Sequence, residues 1–125
     1  MLMSNRLFNE NDGMDEDSCL AMYDNDYDFY KLVLDTFHQD IIRTRSGMVD
    51  TFAAKDVENY RIFVHGLKGA GGSAGAKRLV ELATVSNDLI KAGNVEEAYK
   101  LHQPLLDELD NLIRIIPERI QAHNG

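Results

Sequence analysis

A chain of 125 residues with 44% hydrophobic content fits one domain with a real core, and no second domain is expected. The formal net charge of −8 argues against a nucleic-acid partner, and no apolar run approaches the length of a membrane span. Residues 1–17 hold one arginine and five acids but no apolar signal core, and the single Cys19 rules out an internal disulfide, so a soluble, cytoplasmic protein is expected.

Taken in order, residues 1–13 lack periodicity and read as a mobile tail. A short helix follows over SCLAMY, with Asp17 or Ser18 as its cap. Asp24, Asn25 and Asp26 make a turn and cap a long core helix whose apolar positions are Tyr30, Leu34, Phe37, Ile41, Met48 and Phe52. Ser46-Gly47 is a place for that helix to bend. Asp56 is a capable N-cap for a third helix, and Gly75 marks the turn out of it. Residues 76–92 form a fourth helix ended by Gly93. Asn94 with Glu97 then reads as a capping-box variant opening a final helix, with Leu101, Leu105, Leu109, Leu112 and Ile116 inward. Pro104 is expected to bend or break this helix after its first turns, and Pro117 to end or kink it, leaving a frayed tail over 121–125. Four long amphipathic segments with short connections predict an all-α, antiparallel four-helix bundle over residues 14–120, with one short additional helix at its N-terminal side.

The stretch from His65 to Leu79, HGLKGAGGSAGAKRL, is unlike ordinary core or surface, because five glycines follow one histidine. Glycine inside a helix costs about 1 kcal/mol against alanine, so these positions need a loop or a use for bare backbone. At about 100° per residue, a helix through Asp56 to Ala74 puts Tyr60, Phe63, Leu67, Ala70 and Ala74 on one side and His65 opposite them. Arg61 and Lys68 flank the histidine, while Gly69 and Gly72, one and two turns onward, have no side chain to cover it. That arrangement is clearance for a docking partner. The window 61–80 carries Arg61, Lys68, Lys77 and Arg78 with no acid, a basic island suited to a small anionic site on a partner.

His65, Leu67, Lys68, Gly69, Gly75, Ala76 and Leu79 reproduce the pattern H-x-L-K-G-x(5)-G-A-x-x-L, and in this the chain resembles histidine-containing phosphotransfer (HPt) domains from about Met14 to Ile116. The resemblance implies a helical bundle that carries a phosphoryl group on His65 between the aspartates of response-regulator receiver domains. It further implies charge stabilisation by Lys68 and docking through Arg61, Ile62, Gly69, Gly72, Lys77 and Arg78. The implied partners are receivers and a hybrid sensor kinase, met as a monomer. No cofactor of its own is expected, Mg²⁺ and the acidic pocket coming from the receiver, and no kinase activity of its own. Neutral imidazole is itself a nucleophile, so no activating base is sought.

Other chemistries fit less well. Gly69, Gly71 and Ala74 formally satisfy G-x-G-x-x-A, but a dinucleotide fold needs further strands alternating with helices, and there is no G-K-[ST] for a P-loop. His38 follows Asp35 at i+3, yet carboxylate-bridged metal bundles need glutamates and two E-x-x-H pairs. His38, His102 and His123 read as surface or partly packed residues. Two alternatives stay open: an interaction module that is not phosphorylated, and the phosphoacceptor domain of a chemotaxis-type kinase.

Overall fold

Aspartates open the first three helices. In the computed structural model, which describes residues 5–124, the Asp15 carboxylate accepts from the Ser18 amide at the start of α1 (Glu16–Met22). Asp26 does the same for Phe29 at the start of α2 (Tyr27–Ala53), and Asp56 for Asn59 at the start of α3 (Val57–Ala74). Each cap satisfies an amide that has no partner within its helix. Helices α4 (Lys77–Lys91), α5 (Val95–Tyr99) and α6 (His102–Asn124) complete the chain, and one 3₁₀ turn, Glu10–Asp12, precedes α1. Gly75 at φ +78° turns the chain out of α3, and Gly93 at φ +85° follows the end of α4, both in the left-handed region that glycine adopts without strain. There is no strand among the described residues, and no helix there is long and apolar enough to cross a membrane.

Helices α2, α3, α4 and α6 form the bundle: α3 packs between α2 and α4, and α6 closes the ring against both of them. Two- and three-residue connections, Gly75–Ala76 and Ala54–Asp56, leave α3 no choice but to run antiparallel to its chain neighbours. The core is the meeting of the predicted stripes, with Tyr30, Leu34, Ile41 and Met48 of α2, Tyr60, Val64 and Leu67 of α3, Leu79 of α4, and Leu105, Leu109, Leu112 and Ile116 of α6 all buried. Burial of each such aliphatic side chain contributes about 1.5–3 kcal/mol, offset by the ordering of the chain.

Several local expectations are corrected or refined. The capping aspartate of α1 is Asp15, which puts Asp17 and Ser18 inside the first turn. α2 runs unbroken through Ser46-Gly47. Gly47 serves close packing there, since a Cβ on it would lie 2.3 Å from Cζ of Phe63. Asn94 makes no side-chain cap to α5, so the Asn94–Glu97 capping box is not formed. The final helix is broken after its first turns, as expected, at Lys100–Leu101 between α5 and α6, and Pro104 stands third in α6, where its missing N–H has no intrahelical partner to lose. Pro117 neither ends α6 nor frees a tail: the helix continues to Asn124, and only residue 125 of the expected C-terminal tail lies outside the described residues. A proline at 117 leaves the carbonyl of Ile113 without its intrahelical donor, and Nε2 of His38 on α2 donates to that oxygen at 2.9 Å.

The predicted mobile tail is also different where it is described. Residues 1–4 lie outside the description, but Leu7 and Phe8 are buried. The Glu16 carboxylate, itself buried, accepts from the amides of Leu7 (2.8 Å) and Phe8 (2.9 Å) and from the Tyr27 hydroxyl (2.8 Å). Arg119 grips Asp12 with two hydrogen bonds of 2.9 and 3.0 Å, which hold the Asp12 carboxyl below its ordinary titration range. This segment is a strap laid over the end of the bundle.

Candidate functional site

α3 presents two faces that its sequence makes opposite. Inward stand Tyr60, Val64, Leu67, Gly71 and Ala74, all buried. Outward stand His65, Gly66, Gly69, Gly72 and Ser73, all exposed. The ends of the helix are firmly fixed: Asp56 bonds both the amide and the side chain of Asn59, and side chains from α1 and α2 cap the last carbonyls. Cys19 Sγ and the Tyr23 hydroxyl donate to Ser73 O at 3.1 and 2.7 Å, and the Tyr30 hydroxyl to Ala74 O at 2.8 Å. His65 is thus carried on a helix whose position is set at both ends.

The four histidines divide into two kinds. His38 donates to Ile113 O, as described. His102 is buried, its Nδ1 hydrogen-bonded to the Tyr60 hydroxyl at 2.8 Å and its ring stacked on Phe52 with centroids 3.8 Å apart. Burial, helped by the charge of Arg45, lowers the His102 pKa and so favours the neutral ring. His123 pairs with Asn5 O at 3.0 Å and stacks on Tyr27. His65, by contrast, makes no hydrogen bond or ion pair among the described residues. An exposed imidazole with both nitrogens available can act as a nucleophile or meet a partner, which the other three cannot do without losing a structural contact. No group of three His, Cys, Asp or Glu side chains converges to hold a metal among the described residues.

The glycines divide likewise. A Cβ added at Gly66, Gly69 or Gly72 would meet nothing within 4 Å, whereas one at Gly71 would lie 2.8 Å from Cγ2 of Val80 on α4. The surface on the C-terminal side of His65 is therefore bare backbone at Gly66, Gly69 and Gly72. Arg61 and Lys68 are half-buried on the flank toward α4, with no ion pair among the described residues, and Ile62 is 56% exposed on the flank toward α2. Lys77 is exposed at the start of α4. Arg78 stands apart from the other predicted docking residues, because its guanidinium donates to Asn11 O at 2.9 Å and to the buried Glu108 carboxylate at 3.3 Å. Its charge ties the strap to α4 and α6. Burial pushes the Glu108 carboxyl upward against that nearby cation.

Three exposed apolar residues near this face were not singled out from the sequence: Met22 (61%), Phe29 (47%) and Leu32 (66%). Phe29 and Leu32 line a hollow with Tyr23, Val33, Ala70 and Ser73. Met22 lines another with Gly71, Gly72, Lys77, Val80 and Glu81. The two hollows lie on either side of the C-terminal half of α3. The signal was available, since Phe29 and Leu32 fall out of phase with the core stripe of α2.

The family model described as the Hpt domain matches residues 32–115, which is most of the chain and all of α3. The chain belongs to the Hpt domain family. As an Hpt domain it is a phosphocarrier in histidine phosphotransfer within a phosphorelay, and its partners are the receiver and kinase domains of such relays. The fold is similar to the crystal structure of histidine-containing phosphotransfer protein B (HptB) from Pseudomonas aeruginosa PAO1, with a TM-score of 0.74 and 21% identity over 87% of this chain and 96% of that one. No curated protein sequence matches the chain significantly.

Proposed function

We propose that His65 is the phosphoacceptor of this Hpt domain. Its Nε2 attacks the aspartyl phosphate of a receiver, the P–O bond to the aspartate breaks as the N–P bond forms, and the phosphohistidine later gives the group to the aspartate of another receiver. The observation that supports this most is that His65, alone among the four histidines, has a side chain with no hydrogen bond, ion pair or ring contact among the described residues, and that Gly66, Gly69 and Gly72 leave bare backbone beside it. Phosphoryl transfer depends on positioning and charge stabilisation, with little covalent chemistry for the protein to perform. Lys68, one turn onward and leaning back toward the imidazole, offsets the phosphoryl charge. Mg²⁺ and the acids that hold it come from the receiver. Ile62, Gly69, Gly72 and Lys77 form the docking surface, extended by Met22, Phe29 and Leu32. The domain works as a cytoplasmic monomer, takes phosphoryl groups from a hybrid sensor kinase through its receiver, and has no kinase activity of its own.

The test is transfer from a phosphorylated receiver. Wild type takes up an acid-labile, alkali-stable label and His65→Gln takes up none. Labelling of the variant at the wild-type level would overturn the assignment.

A further inference from the structure

The two cations beside His65 are not placed symmetrically around it. At about 100° per residue, Arg61 and Lys68 lie roughly 40° and 60° to the same side of His65, one turn before it and one turn after it, while Ile62, Gly66 and Gly69 lie on the other side. Packing identifies those sides: Gly71 touches Val80 of α4, and Phe63 lies over Gly47 of α2. The α4 flank of the histidine therefore carries both of these unpaired cations, with Glu81 of α4 farther along beside Gly71 and Gly72, whereas the α2 flank is glycine and Ile62 on α3 itself and faces Thr44 and the mutually paired Arg43 and Asp40 of α2 across a hollow. Helical side chains lean toward the N-terminus, so the His65 ring reaches back over the turn that carries Arg61, and Lys68 reaches back toward His65. Neither cation is neutralised by an ion pair among the described residues. Glu58, three residues before Arg61, does not pair with it.

We propose that Arg61 is a second charge-stabilising residue for the phosphoryl group, bracketing it with Lys68 on the α4 flank and leaving the α2 flank open for the receiver. This rests on His65 being the acceptor, and it takes Arg61 out of the docking surface and gives it a part in the transfer itself. A guanidinium beside three phosphoryl oxygens favours the dianion. It stabilises phosphohistidine relative to aspartyl phosphate and so sets how far the relay equilibrium lies toward this domain.

The experiment needs no receiver. The full chain is phosphorylated with potassium phosphoramidate: His65 Nε2 attacks phosphorus, the N–P bond of the reagent breaks, ammonia leaves with its electron pair, and Nδ1 keeps its proton. The phosphohistidine ³¹P resonance, assigned by its loss in His65→Gln, is then followed through its titration. Arg61→Gln is expected to raise the midpoint by about 0.3–0.7 pH unit, the size of an exposed charge pair. Arg61→Lys restores most of the shift, and about 1 M KCl, where the Debye length is about 3 Å, shrinks it. An unchanged midpoint in Arg61→Gln overturns the proposal, whether or not receiver affinity falls. Absence of a His65 resonance from the wild type overturns instead the reading of His65 as acceptor, so the two failures are told apart.

Discussion

Gly69 and Gly71 stand two residues apart on α3, yet a Cβ at Gly69 would meet open space and one at Gly71 would collide with Val80. Both give up the same helix propensity, about 1 kcal/mol against alanine. For Gly71 the return is visible within the fold, because α4 packs against bare backbone there. At Gly69 nothing among the described residues makes use of the missing side chain. The contrast separates glycines that serve the fold from glycines that serve a visitor, and it does so by what surrounds each one, which residue type alone cannot.

The largest expected effect breaks the comparison at its folded side. Gly71→Leu should lower stability by about 1–3 kcal/mol, because the side chain must displace Val80 from a packed interface. Gly69→Leu should leave thermal unfolding unchanged, or raise stability by several tenths of a kcal/mol, while transfer from a phosphorylated receiver slows. A Gly69→Leu protein that melts early would remove the clearance argument, and one that transfers normally would remove the docking role.

His65 and His38 sharpen the same contrast with a second residue type. His38 supplies a donor to the Ile113 carbonyl that Pro117 orphans, so His38→Leu should cost about 1–2 kcal/mol by leaving that oxygen unpaired. In a Pro117→Ala background the restored amide takes over, and the same substitution should cost clearly less. Denaturant unfolding of the four proteins in this cycle gives the coupling, and additive losses would mean that His38 and Pro117 act independently.

A smaller effect is expected from pH. The folded pKa of His102 lies below its unfolded value, so the folded state takes up the proton later. Its contribution to stability is full above the ordinary histidine value of about 6.5 and is lost as pH falls from there through the folded pKa. Unfolding free energy measured from pH 7.5 to pH 5 should fall less steeply in His102→Phe than in wild type. Parallel curves would show that the buried ring does not contribute to the slope.

The parts of the molecule legible in the sequence are those decided within a few residues. Asp26 and Asp56 cap their helices, Gly75 and Gly93 end theirs, and the apolar stripes of α2, α3, α4 and α6 meet as their spacing requires. His65 could be placed opposite the core by counting alone. What could not be read depends on partners far along the chain. Leu7 and Phe8 show no period, and they are ordered through a carboxylate eight or nine residues on. Pro117 looks like a terminator until His38, 75 residues away along the chain from the carbonyl it serves, provides the missing donor. Arg78 reads as a free cation until Asn11 and Glu108 engage it.

The strap has one more consequence. Asn5 and His123 share a hydrogen bond across 118 positions of sequence, His123 lies on Tyr27, and Tyr27 leads through Glu16 back to Leu7 and Phe8. The first and last described turns are thus neighbours, and the chain is in topological terms a closed loop of helices with its seam at the end where Gly75 turns. His65, ten residues before Gly75, lies about 15 Å from the seam along the helix axis, so fraying of the joined ends would loosen the C-terminal end of α3 before it reached the acceptor.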